Sequence, residues 1–272
     1  MAAPFAAIAP VDFHLHSNAS DGEHPPEHMA AAARTAGLSH WALTDHDSVS
    51  GWAKIADAPG LICGVEVTAG ADGREVHIVG LGIDPTHAGL VELLARIRAL
   101  RLERLDVLLA RLPADVRRGL SAAEVKPKEA ETVGRLHLAQ ALARNGGVGS
   151  VRDAFTFHLA DEHLIDASLP QFPPIAEIAA VIHAAGGVAI LAHPGVYRSL
   201  EIVEPLLVQL DGLECAHPGL SDDLQLGLLA IADRRSLLVS VGSDTHRITS
   251  HRRLGNAHLP PERLMPLLER LA

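Results

Sequence analysis

His14 and His16 close a short apolar run, Pro10-Val-Asp-Phe-His14-Leu-His16, with one residue between them. In an extended strand alternate side chains share a face, so both imidazoles point the same way and can grip one metal ion. Further residues of ligand type follow: Asp21, His46 within Thr44-Asp45-His46, Glu66, His77, His193 before Pro194, and Asp244 with His246. Most stand at or just past the end of an apolar run. These six imidazoles and three carboxylates exceed the needs of one ion. Mixed nitrogen and oxygen ligands suit Mn, Zn or Fe, whereas all-oxygen sites suit Mg or Ca. Two or three divalent ions are expected, with Glu66 bridging. Such ions offset the charge of an anionic ester and lower the pKa of bound water toward about 7, making a hydroxide available for attack. Asp45 and Asp47 flank His46, and one of them reads as a loop cap. The histidines outside the set, among them His24, His28, His40, His87, His158, His163, His183, His251 and His258, read as surface or satisfied core residues.

Elements must position these groups. Apolar runs predict strands over 11–16, 40–44, 62–68, 76–82, 188–192, 212–215 and 237–242. Helical patterns cover 25–36, 48–57, 89–112, 132–144, 175–185, 222–234 and 261–271. The clearest is 89–112, where Leu90, Leu93, Leu94, Ile97, Leu100, Leu105, Leu108 and Leu112 recur near helical spacing and Pro113 ends the run. Strand–helix alternation at both ends of the chain implies a parallel α/β core, in which strand carboxyl ends converge on one face. Between 86 and 172 the strand signal vanishes. That segment reads as a helical insertion, leaving 1–85 and 173–272 as the barrel domain. No internal repeat is evident.

Composition narrows the class. Hydrophobic residues make up 48%, enough for a sizeable core, but aromatics only 3%, too few for a base-stacking platform. The net charge of −10 and the lack of a basic run argue against a nucleic-acid stripe. Cys63 and Cys215 adjoin apolar runs and read as buried, reduced thiols. The first ten residues carry no basic region and make a poor signal peptide, and no stretch reaches membrane-span length. The protein is expected to be cytoplasmic.

The motifs His14-Leu-His16-Ser, Asp21-Gly22, Leu43-Thr44-Asp45-His46-Asp47, Gly64-Val65-Glu66, His77-Ile-Val-Gly-Leu, Ala192-His193-Pro194-Gly195 and Gly242-Ser243-Asp244-Thr245-His246 resemble, in order and spacing, those of the PHP (polymerase and histidinol phosphatase) family. The resemblance implies a distorted (β/α)7 TIM-like barrel, a metal-dependent phosphoesterase, and the nine residues above as ligands with Glu66 shared. Gly134-Arg135-Leu136-His137 is similar to the insertion motif of the branch that holds nucleoside 3′,5′-bisphosphate phosphatases and RNase AM-type 5′→3′ exoribonucleases. By that resemblance Arg135 and His137 contact substrate phosphate. The chain also departs from the branch. The stretch Leu159–Asp166 is acidic where relatives are basic, Val196 stands where many have Arg, and Thr245 where Phe is common. Arg198, two residues on from Val196, is expected to substitute for that Arg in substrate binding.

The expected reaction is hydrolysis of a phosphate monoester on a small, nucleotide-like anion by a hydroxide bridging the ions. The alternatives are 5′→3′ exonucleolysis of short RNA and a non-catalytic metal-binding module. An amidohydrolase fits the Thr-Asp-His and Asp-X-His motifs less well. His217 is a weak candidate for the acid that protonates the leaving oxygen. No protein partner is inferred.

Overall fold

The computed structural model describes residues 10–160, 168–249 and 253–272. Most of the amino-terminal stretch, the acidic positions 161–166, His163 and His251 lie outside the described residues. Seven strands form one sheet in chain order: β1 Val11–Leu15, β2 His40–Leu43, β3 Leu61–Ala71, β4 Arg74–Leu81, β5 Val188–Leu191, β6 Gly212–Ala216 and β7 Leu238–Val241. The ring is drawn together at its mouth. The Asp244 amide donates to the His14 carbonyl at 2.9 Å, and the His16 amide donates to the Thr245 carbonyl at 3.2 Å. This is the distorted seven-stranded barrel that the motifs imply.

The sheet is not parallel throughout. β4 runs antiparallel to both β3 and β5. The turn between β3 and β4 is Asp72-Gly73, with φ of 50° and 75°. Positive φ at both central residues gives the tight hairpin turn whose twist matches paired antiparallel strands, and Asp-Gly is its preferred sequence. Reversal explains why His77 serves the mouth from the early part of its strand: it lies opposite Thr68, near the carboxyl end of β3.

Helices cover the barrel and build the insertion: α1 Pro26–Thr35, α2 Ser50–Ala53, α3 Ala88–Arg111, α4 Ala114–Arg117, α5 Ala122–Val125, α6 Arg135–Arg144, α7 Val151–Ala154, α8 Ile175–Ala184, α9 Leu200–Leu206, α10 Asp222–Arg235 and α11 Pro261–Leu271. A π-helical turn, Phe155–Leu159, continues α7. The expected helix over 48–57 shrinks to the single turn of α2, and α9, with Pro205 inside it, is a helix outside the expected set.

Three apolar clusters serve the barrel. Val11, Phe13, Val79, Ile190 and Val241 meet Leu264 and Leu267 of α11 in one of them. A second joins β3 through β7 to α8, α9, α10 and the first half of α3 (Leu90, Leu93, Leu94, Ile97). A third sets Met29 of α1 against Trp41 and Leu43. The insertion has a cluster of its own, from Leu105 and Leu108 of α3 to Leu138 and Leu142 of α6. The long α3 thus belongs to both bodies. A buried ion pair fixes it to the mouth: Arg101 Nε donates to Asp47 Oδ2 at 2.5 Å, and Asp47 also accepts from the Thr68 amide and hydroxyl. Losing one partner of such a buried pair costs about 3–5 kcal/mol.

Candidate metal centre and substrate cavity

Glu66 is the hub. Its Oε1 lies 3.3 Å from His14 Nε2, 3.1 Å from His77 Nδ1 and 2.9 Å from His193 Nε2. Its Oε2 lies 3.3 Å from His16 Nε2 and 2.8 Å from His46 Nδ1. Asp21 forms a second corner, with Oδ1 at 3.2 Å from His246 Nε2 and 3.8 Å from His46 Nε2. Asp244 closes a third, with Oδ1 at 3.2 Å from His16 Nε2 and 3.3 Å from His246 Nδ1. All nine ligand candidates therefore converge at one mouth of the barrel. Among the described residues their donor atoms fall into three overlapping groups, each within 4.8 Å: His16, Asp21, His46 and His246; His14, His16 and Glu66; His46, Glu66 and His77.

The local backbone serves this convergence. His193 and Asp244 both adopt left-handed conformations, with φ of 31° and 49°. Non-glycine residues held there cost of order 1–3 kcal/mol each and cluster at functional sites. Asp45 is no ligand: it accepts from the Ser17 amide and from the Ser17 and Ser20 hydroxyls, each at 2.7 Å, and so pins the β1 loop that carries Asp21.

Two supporting carboxylates escaped the sequence reading. Glu214 of β6 is buried, and its Oε1 accepts from His14 Nδ1 at 2.8 Å. That bond leaves His14 Nε2 for a metal, the carboxylate–histidine arrangement that orients ligands. Glu214 also accepts from the His193 amide at 2.5 Å, so one side chain holds two ligand candidates. Room for it exists because residue 242 is glycine: a Cβ there would sit 2.3 Å from His14 Cβ and 2.4 Å from Glu214 Oε1. The available signal was a lone charge inside the apolar strand Gly212-Leu-Glu-Cys-Ala216. Glu75, two residues before His77 on β4, accepts from His77 Nε2 at 3.1 Å. Glu214→Gln is expected to loosen metal binding by about 10–100-fold while leaving the fold intact, read by competition with a fluorescent chelator.

The electrostatics fit cations. Burial would push Glu66 up, but His46, His14 and His77 hold it well below the usual carboxylate range. Burial disfavours charge on His77 too, yet Glu66 and Glu75 push it up to about 10. Against the same burial, Asp21 and Asp244 push His246 up to about 10. His16, by contrast, is pushed down to about 3 by burial and by the neighbouring His246. His46 Nδ1 and Glu66 Oε2 lie 2.8 Å apart yet neither has a hydrogen-bond partner, as expected of two donor atoms facing a shared cation. The residues fit divalent metals. Because His77 and His246 keep their protons up to about pH 10, an ion must displace them. Metal affinity is therefore expected to fall as pH drops below 10, with proton release on binding. Calorimetry in two buffers of different ionisation heat measures it, and buffer-independent heats would refute it.

Beside the cage opens a cavity of ≈ 460 Å³. Asp21, His46, His77, Asp244 and His246 line it from the barrel, and Arg135, Leu136 and Phe155 from the insertion. Arg135 opens α6, with Nε 4.0 Å from Glu75 Oε2 and NH1 donating to the Leu159 carbonyl at 3.3 Å. His137 does not line this cavity. It is buried, its Nδ1 accepts from the Gly134 amide at 3.2 Å, and its ring hydrogen-bonds the Ser20 backbone. These contacts join α6 to the Asp21 loop. Arg198 also lies elsewhere, in a cleft on the β5–β6 side. The histidines set aside keep other work: His87 Nδ1 caps α3, and His183 pairs with Asp211 at 2.6 Å. Cys63 and Cys215 are free thiols, and burial pushes both up to about 12.

Residues 12–109 match the PHP domain. A 5′-3′ exoribonuclease of Haemophilus influenzae is 35% identical over 249 residues, 86% of this chain and 89% of the relative. The chain belongs to the PHP family. A second relative is the 3′,5′-nucleoside bisphosphate phosphatase of Chromobacterium violaceum, 35% identical over 253 residues and 88% of each chain. A solved structure from Bifidobacterium adolescentis, provisionally named a metal-dependent phosphoesterase, superposes with a TM-score of 0.81 at 31% identity over 96% of both chains. This PHP protein is a metal-dependent phosphoric ester hydrolase. Among its described residues no helix is long and apolar enough to cross a membrane.

Proposed function

We propose that this PHP protein removes the 3′-phosphate of a nucleoside 3′,5′-bisphosphate or a closely similar nucleotide. One observation carries the reading: the ≈ 460 Å³ cavity sets the metal ligands and the Arg135 guanidinium around one space large enough for a nucleotide. His14, His16, Asp21, His46, Glu66, His77, His193, Asp244 and His246 would hold two or three ions, and Mn, Zn or Fe suit that donor set. When bound, such ions make hydroxide available near neutral pH and offset the charge on phosphate oxygens.

The chain's own groups do the rest. Arg135 presents a planar fork of donors that matches a phosphate not undergoing cleavage, and so fixes which ester reaches the ions. Leu136 and Phe155 give the cavity an apolar wall for the ribose and base. Glu75 stands between Arg135 and His77, so the phosphate-binding arginine and a metal ligand share one support. The filled ligand set and the cavity both speak against a purely structural module.

The test is release of inorganic phosphate from adenosine 3′,5′-bisphosphate by purified protein supplied with Mn, Zn or Fe. Metal-dependent release supports the reading. No release with any of the three, or release undiminished by a chelator, overturns it.

A further inference from the structure

A small recess of ≈ 30 Å³ lies between α3 and α6, faced by Arg101, Arg104, Arg135 and Glu75. Arg101, Arg135 and Glu75 also line the substrate cavity, so the two spaces share a wall. Leu105, Leu138 and Phe172 complete the recess on its apolar side. The three guanidiniums are not equally satisfied. Arg101 spends all three nitrogens on the protein: Nε on Asp47 Oδ2 at 2.5 Å, Nη2 on Thr68 Oγ1 at 2.6 Å and Nη1 on the Val133 carbonyl at 3.3 Å. Arg135 bonds the Leu159 carbonyl and faces Glu75. Arg104 is 7% exposed, yet among the described residues it makes one hydrogen bond, from Nη1 to the Pro170 carbonyl at 2.9 Å, and no ion pair. Its guanidinium carbon stands 4.8 Å from the centre of the Phe172 ring. Stacking covers one face of the group and leaves the remaining N–H donors at its edge for the recess.

Burial pushes Arg104 below the usual arginine range; Glu75 opposes that push, and Arg135, Arg101 and Arg111 reinforce it. A buried cation without a partner charge is costly, and an anion on its edge donors removes the cost. Glu75, the acid in the lining, is engaged elsewhere: it accepts from His77 Nε2 at 3.1 Å, and its other oxygen lies 4.0 Å from Arg135 Nε. Size selects the anion. One water needs about 10–15 Å³ of such space, so the recess holds about two waters or one halide ion and is too small for a phosphate. We infer that the recess between α3 and α6 binds one chloride ion, held by the edge donors of Arg104 and by the positive field of Arg101 and Arg135. The ion takes no part in bond breaking. It neutralises Arg104 and relieves the repulsion between Arg104 and Arg135, whichever ester the metal centre cleaves.

The experiment follows thermal melting of the Mn-loaded full chain in sodium chloride and in sodium methanesulfonate at equal ionic strength, methanesulfonate being too large for the recess. Chloride is expected to raise Tm saturably by about 3 °C in the wild type. The shift should vanish in Arg104→Met, which keeps an apolar stem against Phe172 and removes the charge. Equal Tm in the two salts overturns the site, as does a chloride shift that persists in the variant. Should Arg104→Met fail to fold, wild-type crystals soaked in bromide decide. An anomalous peak in the recess at bonding distance from Arg104, together with the chloride shift in solution, supports the site. Water alone in the recess overturns it, as does bromide bound at crystal concentration only, with no chloride shift in solution.

Discussion

Glu66→Gln is expected to lower hydrolysis of any phosphate ester by at least about a thousandfold, because the ions it would hold supply several kcal/mol of transition-state stabilisation. The glutamate faces five imidazoles: His14, His77 and His193 through one oxygen, His16 and His46 through the other. Glutamine keeps the volume but loses the charge, and it turns an NH2 group toward nitrogen donors that need an anion or a cation between them. Metal content per chain should fall with activity. Far-UV circular dichroism should not change, since the substitution is isosteric and Val65 and Val67 still pack into the barrel's outer core. A variant with full metal and full activity would show that the hub has been misassigned.

Arg135→Ala has the second large effect, and it is selective. A charge-assisted contact to phosphate is worth about 1.5–3 kcal/mol, so KM for adenosine 3′,5′-bisphosphate should rise by roughly 10–100-fold. Hydrolysis of p-nitrophenyl phosphate, which has no second phosphate, should change little. The arginine also bonds the Leu159 carbonyl, so a melting curve must accompany the kinetics. Equal losses on both esters would remove Arg135 from substrate recognition and leave it a structural role on the insertion.

The convergence of the ligand candidates was legible in the sequence because metal ligands are constrained in type. Only a few side chains bind such ions, and the barrel delivers them at strand ends, so His14, His16, His193, Asp244 and His246 announce themselves by position. The direction of β4 was legible in principle from Asp72-Gly73, but strand–helix alternation elsewhere pulled the reading toward a parallel sheet. Glu214 and Glu75 were harder. A supporting carboxylate obeys no spacing rule, and Glu214 meets His14 across 200 residues of chain. His137 shows what a motif leaves out: its resemblance implied phosphate contact, while in the fold its ring is buried and accepts from the Gly134 amide. Its partners on the Ser20 loop exist only in three dimensions.

The central claim is that the nine converging side chains hold divalent ions on which phosphate-ester hydrolysis depends. The direct measurement strips the purified protein with a chelator and titrates Mn back while following phosphate release from adenosine 3′,5′-bisphosphate. Activity is expected to vanish on stripping and to return with a break at two or three ions per chain. Undiminished turnover by the stripped protein would contradict the claim.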